Sequence, residues 1–420
     1  MHPIRLFARD IRGGIAIAFG LSLAVMGMAV GLAIDTARIY SVSNKVQAAL
    51  DSAALSGAKW LAEHDDDTSN LQQVAQSAFN ANVASLGLGD VTLSNFSATP
   101  DTATSSVNVG VQLRVPATLA KFAGLNEFSV QKTAGTSYSL AKLEVVLSLD
   151  VTGSMNEVPS GDFVSKLQAL KGAATGLVDS LFADATTDSN VRISVVPWSS
   201  GVHAGSYAAA VSGSSSGGSC LAERAGDGAT TDSTPSPLTF ANPLPASSIA
   251  LGYACPTVAV SPLKGRREAN NIKGQINSLT GIGGTAGHLG TAWAWYMLSP
   301  TWTDLHPTGS RPEAPSRTVI KTAVIMTDGV FNTTHIGGVL DSGAGGYSQQ
   351  SYEMFKTLCD GMKAQNIRVY TIAFDLTDSY ALSKLEECAG ANALTASTST
   401  QLHEAFRQIA ADINSIRMTR

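Results

Sequence analysis

Three short stretches of this chain end in hard oxygen donors. Asp150-Val151-Thr152-Gly153-Ser154 places a carboxylate and two hydroxyls on one tight turn. Thr327-Asp328-Gly329 adds a second carboxylate, and Gly283-Gly284-Thr285 brings a further hydroxyl from a Gly-rich loop between them. Such a donor set suits a small divalent cation. Mg²⁺ fits best, because it wants octahedral oxygen coordination, keeps several waters and takes one or two carboxylates from a protein. Mn²⁺ accepts the same donors, while Ca²⁺ asks for more of them. No His or Cys stands in these turns to favour zinc. Thr280 and Thr291 compete with Thr285 for the middle position. The plainer reading of Asp150 and Asp328 is that they cap turns and following helices, as Asp commonly does.

Donors so far apart in sequence meet only if the fold delivers them to one edge. From Leu143 onward, apolar runs alternate with helical patterns: LEVVLSLD, VRISVVPWS, TAVIMTDG and IRVYTIAFD read as strands, and 163–182, 352–365 and 401–416 as helices. Near-continuous apolar strands separated by helices predict an α/β, Rossmann-like unit over 141–420, a mostly parallel sheet flanked by helices. In such sheets ligands gather beyond the carboxyl ends of the strands, where Asp150 and Asp328 stand. A Gly-, Ser- and Pro-rich insertion over 201–267 is long for a loop, and either borders that edge or is a tolerated decoration.

The first part of the chain is built differently. Gly13 to Ile34 is an uncharged apolar stretch of membrane-spanning length. Arg5, Arg9 and Arg12 precede it and Asp35 follows, so the positive-inside bias puts residues 1–12 in the cytoplasm and the bulk of the chain outside. A cleaved signal peptide is the rival reading. Over 35–64 the pattern continues as an amphipathic helix, with Val46, Leu50, Ala53, Gly57 and Trp60 at spacings of four and three. Beyond it, over 65–140, the alternation of Val107, Val109, Val111, Leu113 and Val115 predicts a strand in a small antiparallel sheet.

Charged residues make up 15% of the chain and the formal net charge is −5, with no basic run to track phosphates, which argues against nucleic acid. Gly213–Gly217 matches a Gly-x-Ser-x-Gly elbow but lies in a Ser/Gly-rich run without the strand and helix an elbow needs. No phosphate-loop motif is present, and the histidines are scattered without a His-Glu-x-x-His pair. The four cysteines have no Cys-x-x-Cys spacing. They read as two local pairs, Cys220 with Cys255 and Cys359 with Cys388, which requires an oxidising compartment such as the periplasm; four buried free thiols are the alternative.

Asp-x-Thr-Gly-Ser, the later Thr and the strand-terminal Thr-Asp-Gly resemble the metal-ion-dependent adhesion site of von Willebrand factor type A domains, with Thr152 where the common motif has Ser. The membrane helix, GLAIDTARIYSVSNKVQAALDSAALSGA, GGTAGHLGTAWAWYMLSP and VYTIAFD resemble TadG-like proteins of Flp (tight-adherence) pilus gene clusters. The resemblance implies that Thr152 and Ser154 touch the metal. Thr285 would join directly or through water, and Asp150 and Asp328 would act at or just behind it. It further implies a single-pass inner-membrane protein, not an enzyme, that captures an acidic side chain of a protein partner or works with pilus or pseudopilin components. The alternative is a structural pilus or stalk component whose type A fold is only a scaffold.

Overall fold

A computed structural model of the protein describes residues 13–64, 68–101, 106–137, 142–183, 190–215, 218–316, 318–336, 339–342 and 346–418. Arg5, Arg9 and Arg12, on which the expected orientation rests, lie outside the described residues, as does the end of the Gly213–Gly217 motif. The chain divides into two compact units, Met1–Ser139 and Leu140–Arg420.

In the first unit a single helix, α1 (Gly13–Glu63), runs without a break through the apolar and amphipathic patterns. No Pro or turn signal interrupts it. Its early side chains, among them Phe19, Leu23, Met26 and Val30, stand exposed. The helix contains a window of mean hydropathy 2.3 that is 6% buried, long and apolar enough to cross a membrane. From Val42 on, one face is covered: Val42, Val46, Ala49, Leu50, Ala53 and Leu61 recur at helical spacing and are buried. They pack on β2 (Ser106–Pro116), the centre of an antiparallel sheet with β1 (Thr92–Asp101) and β3 (Glu127–Ser137) on its flanks. The alternating valines of β2 supply the buried face. Helix α2 (Leu71–Val83), where the sequence pattern suggests only β structure, joins the same core through Leu71, Ala75 and Phe79. Three apolar anchors at spacing four suffice once α1 and β1 offer a surface, but they give a weak period in sequence.

The second unit is built on a five-stranded parallel sheet in the order β11-β10-β9-β4-β5: β4 (Lys142–Asp150), β5 (Val191–Trp198), β9 (Val319–Thr327), β10 (Ile367–Phe374) and β11 (Ala393–Ala396). Successive residues of β4 serve opposite faces. Leu143, Val145, Leu147 and Leu149 join the core under α3 (Lys166–Ala183), α4 (Ala269–Asn277) and α8 (Ser399–Met418). Val146 joins the core under α5 (Gly287–Leu298), α6 (Gln349–Ala364) and α7 (Ser379–Ala389). Both faces are covered, so no residue of β5 or β9 escapes burial. Helix α3 begins at Lys166; Phe163, read from the periodicity as helical, lies in the preceding loop and is exposed.

The insertion is ordered where it is described. It forms a small sheet of β6 (Val202–His203), β7 (Cys220–Arg224) and β8 (Ala241–Pro243), and Lys264 then pairs with Ile193 on the edge of β5. Cys220 is bonded to Cys255, and Cys359 of α6 to Cys388 of α7. The second bond closes a loop of 29 residues that holds β10. Replacing Cys359 and Cys388 together with Ala is expected to lower the unfolding free energy by roughly 3 kcal/mol in the chain-entropy picture. Denaturant titration of oxidised wild type against the double variant measures it.

Candidate metal centre

The strand order places a switch point between β4 and β9: the chain leaves β4 toward β5 on one side and returns through β9 on the other. Their carboxyl ends therefore flank a crevice, the usual place for a ligand in an open α/β sheet. Asp150 is the last residue of β4 and Asp328 the first after β9.

Asp150 is fully buried. Its Oδ1 accepts from the Thr152 backbone N–H at 2.8 Å, and its Oδ2 accepts from the Thr327 hydroxyl at 2.7 Å. The turn then carries Thr152 Oγ1 to 3.0 Å from Ser154 Oγ, and Ser154 Oγ donates to Asp328 Oδ1 at 2.8 Å. Two of the three segments are thus joined by a continuous chain of oxygens. The third arrives through Gly283, whose carbonyl accepts from the Gly153 N–H at 3.0 Å, and Ile282, whose N–H donates to the Val151 carbonyl at 2.8 Å. A Cβ built on Gly329 would lie 3.5 Å from Thr285 Oγ1 and 3.8 Å from Ser154 Oγ, so both hydroxyls face the same small residue. Asn332 fixes the loop by accepting from the Thr285 N–H at 2.8 Å.

Thr280 and Thr291 are occupied elsewhere. Thr280 Oγ1 pairs with Thr257 Oγ1, and Thr291 Oγ1 donates to the Gly287 carbonyl inside α5. The insertion reaches this edge as well. Gly283 has a φ of +83°, and a Cβ there would come 2.7 Å from the Ala254 carbonyl and 2.8 Å from Ser200 Oγ. Only glycine fits both the backbone and the space. Cys255, next in sequence to Ala254, is held to β7 by its disulfide.

Burial, and then the neighbouring charge of Asp328, push the Asp150 carboxyl up to about 7 despite its hydrogen bonds. Burial likewise raises Asp328. Asp328 Oδ2 accepts no hydrogen bond, but Lys166 Nζ stands 3.2 Å from it, 3.3 Å from Asp375 Oδ2 and 3.7 Å from Glu157. Burial of the ammonium works against its charge, yet Asp328 and Asp375 hold its pKa above the usual range. Neither Lys166 nor Asp375 was singled out by the sequence motifs. Asp375 follows β10 directly, the same strand-end position as Asp328, and that rule could have found it; Lys166, at the start of a helix, carried no signal. Among the described residues no three His, Cys, Asp or Glu side chains form a metal cluster, so hydroxyls must supply much of any coordination.

The second unit, a parallel sheet covered by helices with an Asp-x-Thr-Gly-Ser turn at its switch point, has the α/β architecture that the sequence resemblance to von Willebrand factor type A domains leads one to expect. At the other end of the chain, residues 13–59 match the family described as "Putative Flp pilus-assembly TadE/G-like". Similar solved structures are the pilus adhesin SpaC from Lactobacillus rhamnosus GG (14% identity, TM-score 0.39, 77% of this chain and 34% of that one) and the vWF domain of the type V pili tip protein Mfa5 from Porphyromonas gingivalis (14%, 0.41, 65% and 95%). A third is the PilB minor pilin from Streptococcus sanguinis (12%, 0.39, 77% and 78%). The chain spans about a third of the length of SpaC. No curated protein matches it in sequence.

Two outcomes follow from the electrostatics. The folded-state pKa of Asp150 is raised, so the folded protein binds more protons than the unfolded chain between about pH 4 and about 7. In chelator, stability should fall as pH rises through that window, and Asp150→Asn, which keeps the shape without the charge, should flatten the fall; thermal melts across pH read it. Lys166→Met would leave buried Asp328 without its counter-charge and should cost about 3 kcal/mol in chelator, measured by denaturant titration.

Proposed function

We propose that the protein is an envelope-anchored pilus assembly or adhesion factor that captures a protein partner through a divalent cation, Mg²⁺ or Mn²⁺ before Ca²⁺, held at the β4/β9 switch point. One observation carries the reading: two buried carboxylates are drawn together at the open edge of a sheet, with hydroxyls from the β4 turn between them. Two negative charges in such a place are costly without positive charge beside them. Thr152, Ser154 and Thr285 would offer hydroxyl oxygens to the ion, with Asp150 and Asp328 binding it directly or through water. A bound cation supplies positive charge and open coordination positions that a partner's carboxylate can fill. The chain's own work is positional. Thr327 and the Thr152 N–H aim Asp150, Asn332 fixes the Thr285 loop, and Ala254 of the insertion walls one side. Such a site binds and releases, and is read here as non-catalytic. α1 would cross the inner membrane with the N-terminus in the cytoplasm, leaving the type A domain in the periplasm or at the surface, where the two disulfides persist.

A second reading, the type A fold as a structural scaffold, is favoured by Lys166, whose ammonium already neutralises part of the site. The two readings separate in one experiment on the full chain in detergent. Under the first, Mg²⁺ or Mn²⁺ raises the melting temperature over chelator, equivalent to about 2.7 kcal/mol at a hundred times Kd. Asp150→Asn and Ser154→Ala, still folded by circular dichroism, lose the response. Equal melting curves with metal and with chelator, matched by a flat titration calorimetry trace, would leave the scaffold reading standing alone.

A further inference from the structure

A short loop in the first unit, from Ala117 to Asn126 between β2 and β3, is fastened to α1 where its apolar stretch ends. Asp35, buried just beyond Ile34, accepts from three consecutive backbone N–H groups: Thr118 at 3.0 Å, Leu119 at 2.9 Å and Ala120 at 2.7 Å. Arg38, one turn further, donates to the Pro116 carbonyl and to Thr118 Oγ1. One turn in the other direction, the helix has Gly31, and a Cβ there would meet Leu119 Cβ at 2.9 Å. The loop therefore lies beside α1 at the level of Gly31, about 4.5 Å inside the end of the apolar stretch at Ile34.

Three large apolar side chains of this loop face outward: Phe122 is 79% exposed, Leu125 48% and Leu119 38%. Seven of its ten backbone N–H groups are nevertheless taken within the loop or by α1. The N–H groups of Ala117, Phe122, Gly124 and Leu125 donate within the loop, and those of Thr118, Leu119 and Ala120 are taken by Asp35. Satisfied backbone polarity is the condition for entering hydrocarbon. Lys121, 5.7 Å from the Phe122 ring centroid, has the long stem that lets an ammonium reach phosphate headgroups from such a position.

We propose that the Ala117–Asn126 loop is a membrane-inserted finger, its Phe122, Leu119 and Leu125 side chains dipping into the leaflet of the bilayer on the Asp35 side of the apolar stretch of α1. The occupant of this apolar surface is lipid, because Leu119 lies against Gly31, within the apolar half of α1 whose side chains stand exposed. The finger gives the helix a second point of attachment and fixes its rotation and depth. It rests on reading α1 as a membrane span.

The test is spin-label accessibility on the full chain in lipid nanodiscs, with single labels at Phe122→Cys, Leu23→Cys and Tyr40→Cys. The expected result is that labels at 122 and 23 collide with oxygen and are shielded from a water-soluble nickel chelate, while the label at 40 collides with nickel. Asp35→Ala or Gly31→Ala in the Phe122→Cys background should then abolish the shielding at 122. A label at 122 as open to nickel as the one at 40, with 23 still shielded, overturns the finger and spares the anchor. Shielding from both oxygen and nickel overturns it in favour of a protein cover, such as a second copy of the chain. A label at 23 open to nickel overturns the anchor reading itself. Unchanged shielding at 122 in both latch variants overturns the role given to Asp35 and Gly31.

Discussion

The second unit depends on keeping negative charge where burial disfavours it. Asp150 and Asp328 sit at the carboxyl ends of adjacent strands, sealed from water, so every group nearby is arranged around their field. The Thr152 and Ser154 hydroxyls bridge them, Thr327 turns its hydroxyl toward Asp150, and Lys166 is brought from the start of α3 to stand against Asp328. Without these partners the crevice would be a cavity with two like charges, and the strands delivering them would gain by drawing apart.

The opposite end of the same strands neutralises its buried carboxylate with cations of the chain itself. Glu144, near the start of β4, is fully buried, and it is saturated: Lys321 of β9 donates to it at 2.7 Å, the Glu313 N–H at 2.9 Å, and Arg192 of β5 pairs with it too. Lys321 in turn donates to the Leu298 carbonyl at 2.6 Å. This network ties three neighbouring strands through side chains as well as the ladder. Two polar clusters thus mark the two ends of the sheet, one closed within the protein and one built of hydroxyls and raised carboxylates.

Much of this was legible in sequence because the strands advertise themselves. LEVVLSLD and IRVYTIAFD are too apolar for a half-exposed strand, and the Asp ending each marks a carboxyl edge. The unbroken pattern from Gly13 onward announced α1. What could not be read is whatever depends on distant parts of the chain meeting. Glu144 and Lys321 interrupt apolar runs and look like surface residues until their partners appear. Glu223, β7's buried acid, sits 2.8 Å from His288 of α5, and His288 contacts Ser351 of α6 at 2.7 Å. Burial works to raise Glu223, yet its bond with His288 brings it below the ordinary value. Scattered histidines gave no hint of that network, since its members come from three separate elements. Lys166 gains its meaning in the same way, from Asp328 and Asp375 on other elements. α2 carries little period of its own in sequence, because a short helix with three anchors is stabilised by α1 and β1.

Asp35 and Asp150 show how differently the fold can treat two buried carboxylates. Both are buried and both follow an apolar stretch. Asp35 receives three backbone N–H groups, chief among them that of Ala120, and these hold its pKa below the usual value against the effect of burial. Its lone pairs are engaged, and a cation would have to displace a loop to reach it. Asp150 receives one backbone N–H and one hydroxyl, faces a second carboxylate and is pushed up to about 7. The Thr152 and Ser154 hydroxyls stand beside the pair, and a hydroxyl, unlike a backbone amide, can donate or accept. The same residue type is held toward its charged form in one place and pushed toward its neutral form in the other, and the difference lies in which donors and charges the fold sets around it.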